Sequence, residues 1–274
     1  MKILYERVNR IAYIVKSKKD NNKYLVKIKS LNKPNNDEIK IYELLSKIAN
    51  RANQKPMPDE ESLPKANHCI IKFIEHVTCK YFQYFVYEYF DGKTLNEYIL
   101  DNYNKIGEDD IKKIFMKIVN AVNFLHSNNI IHCDLKLDNI LINDKQDIKI
   151  IDFDLSKICK DEYLSENIFG TMQYIAPESY DLCIYSKKSD IWSLGIILYI
   201  FITKKFPYNS DFPIVNSHDN MYRRNRFKHS DLHKMKEKIK ESNYSENVVK
   251  LISMMLTFED NKRIIMDDIL TFEW

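Results

Sequence analysis

The stretch Ile131-His132-Cys133-Asp134-Leu135-Lys136-Leu137-Asp138-Asn139-Ile140-Leu141-Ile142, followed shortly by Ile148-Lys149-Ile150-Ile151-Asp152-Phe153-Asp154, decides how the chain is read. Two short apolar runs flank a polar loop, and the second run ends in an acid. This pattern predicts a hairpin that gathers one carboxylate, one ammonium, one amide and a second carboxylate around a shared turn. Asp134 is suited to accept a proton and Lys136 to neutralise a phosphate, while Asn139 and Asp152 offer oxygen ligands to a hard cation such as Mg²⁺. Phosphoryl transfer needs these parts.

The pattern resembles the catalytic and metal-binding loops of eukaryotic protein kinases, whose signatures are H-R-D-L-K-x-x-N and D-F-G. Cys133 stands where Arg is usual, and Asp154 stands where Gly is usual. Further along, Ala176-Pro177-Glu178 and Ser189-Asp190-Ile191-Trp192-Ser193-Leu194-Gly195 follow in the family's order, so the resemblance covers nearly the whole chain. Ile175 to Glu178 and Leu256 to Ile264 are most similar to the calcium/calmodulin-dependent kinase group. The resemblance implies an α+β, bilobal fold. A small β-rich N-lobe with one main helix is expected over residues 1–90 and a larger helical C-lobe over 91–274, together forming one catalytic domain.

Upstream of the hairpin, residues 1–30 are expected to alternate as strands do, with Val8, Ile11, Tyr13 and Val15 as the apolar positions. Asp20-Asn21-Asn22 then separates them from Tyr24-Leu25-Val26-Lys27-Ile28, a hairpin signal. Lys27 resembles the kinase strand lysine that pairs with the α and β phosphates of ATP. Counted back from it, the glycine positions of the phosphate-covering loop hold Tyr5, Arg7 and Arg10, and the first 91 residues contain no glycine. Without glycine the backbone does not readily bring its amides onto a phosphate. Leu25 replaces the usual small residue above the adenine.

Asp37 to Ile48 carries apolar residues at helical spacing with acids in the first turn. By resemblance Glu38 is the glutamate that ion-pairs with Lys27, with Glu43 as the competing candidate. Residues 49–66 include Pro56, Pro58 and Pro64 and predict a loop insertion through which no helix runs. Tyr84 to Gly92 is a β-rich run ending in a turn. Tyr87 corresponds to the gatekeeper behind the adenine pocket, and Glu88, Tyr89 and Phe90 to the nucleotide-binding hinge. Ile111, Ile114, Phe115, Ile118, Val119, Val122 and Leu125 mark an amphipathic helix that leads into the catalytic loop.

Composition narrows the alternatives. A net charge of +3, from 42 basic and 39 acidic residues, leaves no footprint for nucleic acid. Five cysteines without a C-x-x-C pair suggest reduced thiols, hence a cytoplasmic or nuclear setting, and argue against a zinc site. No signal-peptide block opens the chain, and the apolar run Ile191 to Ile202 is too short to span a bilayer.

The expected activity is therefore that of a Ser/Thr protein kinase using ATP and Mg²⁺, with Mn²⁺ as an alternative metal, and a protein hydroxyl as acceptor. Lys136, together with Gly170-Thr171 ahead of Ala176-Pro177-Glu178, resembles the Ser/Thr rather than the Tyr branch. In that frame Asp134 and Lys136 are catalytic. Lys27, Glu38, Asn139 and Asp152 bind the nucleotide, with Asn139 and Asp152 holding the metal. The rival expectation is a pseudokinase that senses nucleotide or scaffolds a partner, favoured by the missing glycines, Leu25, Cys133 and Asp154. Cys133 cannot form the charge pair through which activation-loop phosphorylation usually acts, and Asp154 adds negative charge beside the metal position.

Overall fold

The computed structural model describes residues 2–7, 10–30, 36–54, 66–103, 105–207, 237 and 244–274. Alternating β-rich runs at the start of the chain pair into one antiparallel sheet of five strands. They are β1 (Lys2–Arg7), β2 (Arg10–Lys16), β3 (Lys23–Ser30), β4 (Phe73–Thr78) and β5 (Phe82–Glu88), in the order β1-β2-β3-β5-β4. Asn21, in the β2–β3 turn, takes φ 64°, a left-handed conformation that Asn tolerates better than most residues. At the other end of β2, Arg7 pairs with Arg10, so extended strand occupies the positions where a glycine loop would otherwise lie. Residues 8 and 9 fall outside the described set.

Helix α1 (Asn36–Gln54) packs against this sheet through Ile41, Tyr42 and Leu45, with Asp37 and Glu38 in its first turn. It runs further than the proline-rich composition predicts. Residues 49–54, expected in a loop, continue the helix, because the first residue unable to donate a helical hydrogen bond is Pro56. Residues 55–65 lie outside the described set, so the remainder of the expected insertion is not described.

After β5 the chain crosses into a helical lobe. Gly92 lies so near the Ile142 carbonyl oxygen that a Cβ would sit 2.6 Å from it, and this close approach admits the strand β6 (Lys93–Thr94) beside β8 (Ile140–Ile142). Thr94 then caps α2 (Leu95–Asp101), exchanging hydrogen bonds with Glu97 in a capping box. Helix α3 (Glu108–Ser127) buries the stripe Ile111, Ile114, Phe115, Ile118, Val119, Val122 and Leu125 that its spacing predicts.

Helix α4 (Pro177–Leu182) and the short strand β12 (Ile184–Ser186) lead into α5 (Lys187–Thr203). Every residue of α5 from Ser189 to Ile202 is buried, as expected of a helix apolar all round that forms the centre of a lobe. Gly195 lets this helix approach the helix Glu246–Met255, since a Cβ there would lie 2.8 Å from Leu256 Cδ2. Among the described residues, no helix is long and apolar enough to cross a membrane.

One ion pair braces the larger lobe. Arg263, 2% exposed, donates from Nη1 and Nη2 to the two Glu178 carboxylate oxygens at 2.7 and 2.8 Å. Its remaining donors reach the carbonyls of Thr257 (2.9 Å) and Lys188 (2.7 Å), and its guanidinium lies 5.2 Å from the Trp192 ring centroid. Removing one partner leaves the other as an uncompensated buried charge. Arg263→Ala is therefore expected to cost about 3 to 5 kcal/mol in chemical unfolding. The paired replacement Arg263→Met with Glu178→Leu is expected to recover much of that loss.

Candidate active site

The hairpin that carries Asp134, Lys136 and Asn139 grows out of short apolar runs. Strand β7 (Ile130–Ile131), a single 3-10 turn at Leu137–Asn139, β8 and β9 (Ile148–Ile150) bury Ile130, Ile131, Leu135, Leu137, Ile140, Ile142, Ile148 and Ile150 beneath the polar loop. The loop is tied from below by Asp190 of α5, whose side chain is 1% exposed. Its Oδ2 accepts from His132 N–H at 2.9 Å and lies 2.8 Å from His126 Nε2, and its Oδ1 accepts from Cys133 N–H at 3.0 Å. Cys133 takes φ 64°, so these bonds hold a backbone conformation that a non-glycine residue adopts reluctantly.

Above this anchor the Asp134 carboxylate is fixed on both oxygens. Oδ1 accepts from the Thr171 N–H (2.8 Å) and hydroxyl (2.7 Å), while Oδ2 accepts from Lys136 Nζ (2.8 Å) and Asn139 Nδ2 (3.1 Å). Lys136 also donates to Thr171 Oγ1 at 2.7 Å, and Asn139 to the Asp134 carbonyl at 2.8 Å. Gly170, at φ 98°, brings Thr171 this close, because a Cβ on it would lie 2.9 Å from the Cys133 carbonyl oxygen. A carboxylate held by a hydroxyl, an ammonium and an amide is oriented for proton acceptance. With its nitrogen committed to Asp134, the Asn139 amide has its carbonyl oxygen available to a cation.

The lysines of β3 face this hairpin from the smaller lobe. Lys27 Nζ lies 2.9 Å from Asp152 Oδ1. Glu38 does not meet Lys27 in the expected ion pair. Its Oε2 lies 2.5 Å from Nζ of Lys29, two residues further along the strand. The Asp154 carboxylate contacts the same Lys29 ammonium, beside Glu38. The competing candidate Glu43 is exposed on α1. Burial first, and the Asp154 carboxylate second, push the Glu38 carboxyl upward against the opposing pull of Lys29. The Asp154 charge expected beside the metal position is thus met by a lysine.

A run of aromatic contacts links the lobes. Tyr42 of α1 stacks on Phe73 of β4 (4.9 Å between centroids) and meets Phe153 edge-on at 5.4 Å, and Phe153 lies 5.0 Å from the His132 ring. His132 Nε2 lies 3.2 Å from the Ile151 carbonyl, so the ring is positioned by the chain just before Asp152. Asp152 itself takes φ 67°.

Comparison with known proteins matches the protein kinase domain to residues 10–274. The chain belongs to the protein kinase family. It is 33% identical to Protein kinase kin1 of Schizosaccharomyces pombe over 195 residues, 70% of this chain and 20% of that protein. Carbon catabolite-derepressing protein kinase of Secale cereale is 29% identical over 212 residues, 75% of this chain and 38% of that protein. A probable serine/threonine-protein kinase KIN1 homolog of Enterocytozoon bieneusi is 38% identical over 144 residues, 52% of this chain and 24% of that protein. The kinase domain thus matches less than half the length of each of these relatives.

Two further parts of the kinase domain bear on the site. Tyr87, 1% exposed, lies on β5 opposite Leu25, and its hydroxyl donates to Glu38 Oε1 at 3.4 Å. Next to it, Glu88 uses its side chain to accept from Lys72 N–H (2.9 Å) and to pair with Lys149 (2.5 Å), which braces the end of β5. Tyr89 donates to Asp91 Oδ1 at 3.0 Å, and Phe90 packs partly buried against the core.

The segment from Asp152 to Glu178 is also held. Strand β10 (Lys157–Ile158) pairs with β7, and β11 (Glu162–Leu164) pairs with β12. Phe169 stacks on Tyr185 at 3.9 Å, and its N–H and carbonyl both bond the Tyr185 hydroxyl at 2.8 Å. Lys157 reaches Asp37 in the first turn of α1 at 2.9 Å. Lys29, Tyr42 and Tyr185 were not singled out from the sequence. The signal for Lys29 was its spacing, since residues two apart on a strand share a face.

Thr171→Val keeps the shape but removes the hydroxyl shared by Asp134 and Lys136. It is expected to cost about 1.5 to 3 kcal/mol in urea unfolding, the range for hydrogen bonds to charged groups, whereas Thr171→Ser is expected to retain most of the stability.

Proposed function

We propose that this domain is an active serine/threonine protein kinase that transfers the γ-phosphate of ATP to a protein hydroxyl. The observation that carries the reading is the convergence on one cleft of Lys27, Asp134, Lys136, Asn139 and Asp152, with Asp134 held on both oxygens. Asp134 orients the acceptor hydroxyl and takes its proton. Lys136 neutralises charge on the transferring phosphoryl oxygens, and Lys27 pairs with the inner phosphates.

Asn139 and Asp152 fit Mg²⁺, a cation that accepts a few protein oxygens and completes its shell with phosphate and water. When bound it neutralises the phosphate charge that would otherwise repel the attacking oxygen. Glu88, Tyr89 and Phe90 present the backbone groups of the hinge to the adenine. Lys136 beside Thr171 favours Ser or Thr as acceptor, and the similarity to named serine/threonine-protein kinases supports the same assignment.

A pseudokinase is the second reading, favoured by one observation: β1 and β2 pair through Arg7 and Arg10 where glycines would free backbone amides for phosphate. The deciding experiment measures Mg·ATP-dependent thermal stabilisation and phosphate incorporation into a mixed Ser/Thr peptide library. The wild type is expected to show both. Asp134→Asn is expected to keep the stabilisation and lose at least about a hundredfold in rate. Stabilisation with no incorporation above that of Asp134→Asn would favour the pseudokinase.

Control by the Asp152–Glu178 segment follows from its contacts. Cys133 supplies no cation for a phosphate, and strand pairing with the Phe169–Tyr185 stack orders the segment instead. Phosphatase-treated protein is therefore expected to keep its initial rate within about twofold of the untreated protein, since no arginine-coupled switch is lost.

A further inference from the structure

We propose that Lys29 and Asp154 are positioning residues, a second ion pair that takes the α1 glutamate from the nucleotide lysine and clamps strand, helix and metal loop together. This rests on the kinase reading for its consequence in catalysis, while the clamp itself is a property of the fold.

The geometry is a ladder with two rungs. Lys27 and Lys29 are two residues apart on β3 and therefore point to the same face. Asp152 and Asp154 are likewise two apart on the facing loop. Lys27 meets Asp152 at 2.9 Å, and Lys29 meets Asp154. The acid of the second rung is the more enclosed, with side-chain exposure of 7% for Asp154 against 25% for Asp152, while the two lysines are similarly buried at 14% and 11%.

Glu38 joins the second rung from α1, fully buried, and the Tyr87 hydroxyl donates to its other oxygen. The Lys29 ammonium also lies 4.6 Å from the Phe85 ring centroid, a face that favours a desolvated cation. Three elements therefore meet at one ammonium: β3 through its own backbone, α1 through Glu38 and the metal loop through Asp154.

This arrangement requires a side chain at position 154. A glycine there leaves Lys29 with Glu38 alone and the metal loop without a tether to β3 through this rung. With Asp154 present, Glu38 is engaged two residues along the strand, and Lys27 is directed to Asp152. The substitution that looked like damage to the metal loop comes with its own counter-charge. Lys29 supplies a counter-charge to the buried Asp154 carboxylate, whose burial is costlier without one.

The test uses three variants and Mg·ADP, so that it does not depend on turnover. Lys29→Met removes the ammonium that Glu38 and Asp154 share. It is expected to weaken Mg·ADP binding about tenfold by calorimetry and to raise hydrogen exchange in both residues 36–48 and residues 152–155. Lys29→Met with Asp154→Gly is expected to recover binding to within about threefold of wild type, because the surplus carboxylate is gone. Lys29→Arg, which keeps the charge, is expected to match wild type.

A role confined to packing would lower the melting temperature of Lys29→Met while leaving the Mg·ADP affinity unchanged. Affinity within about twofold of wild type for Lys29→Met, or a double variant no better than the single one, overturns the proposal. If Lys29→Met does not fold, the double variant and Asp154→Asn replace it. Unchanged exchange across residues 36–48 in both overturns the clamp. Coupling between positions 29 and 154 in a protein that transfers no phosphate would sustain the clamp and defeat only the enzyme reading. In a protein that binds no Mg·ADP, exchange alone decides: deprotection shared by helix and loop supports the clamp, and deprotection confined to β3 overturns it.

Discussion

The carboxylate of Asp190 is the interaction on which the site depends. It sits at the start of a helix buried on every side, and it accepts backbone N–H groups from both His132 and Cys133. A polar loop cannot hold a left-handed residue such as Cys133 by its own propensity, so the position of Asp134 is set from below. Because α5 is immobilised by apolar burial over its whole circumference, that setting is rigid. Everything the loop presents upward inherits its precision from this anchor: the Asp134 carboxylate, the Lys136 ammonium and the Asn139 amide.

The second constraint is the charge arrangement between β3 and the loop that carries Asp152 and Asp154. Two lysines on one strand face meet two aspartates on one loop, and a buried glutamate from α1 completes the set. The aromatic contacts Phe73, Tyr42, Phe153 and His132 run through the same interface, so the polar rungs and an apolar column tie the same elements. Such a combination favours a single relative placement of helix and loop. An ion pair gives direction, and close-packed rings exclude the water that would weaken it.

Much of this was legible in the residues themselves. The stripe on α3 and the buried apolar run of α5 follow from burial periodicity, and the structure has both, whereas β2 and β3 form as strands without the expected alternation, Ala12 and Lys27 being their buried residues. Asp134, Lys136, Asn139 and Asp152 lie close together in the sequence, so their convergence needed only one hairpin. Glu38 was placed correctly on α1 but assigned the wrong lysine. Spacing along one strand does not say which of two lysines on the same face a distant carboxylate will choose. The length of α1 was also underestimated, because composition marked residues 49–66 as a loop while the helix continues to Gln54.

Sequence by itself determined the family, the order of the elements and the identity of the polar groups in the cleft, since these depend on local pattern and on motifs a few residues long. Tertiary structure decided the pairing: Lys29 with Glu38 and Asp154, and Phe169 with Tyr185. Each of those contacts joins residues from different elements. Their partners are selected by which side chains burial leaves within reach of one another, and in a buried site a charge takes whatever counter-charge shares its cavity.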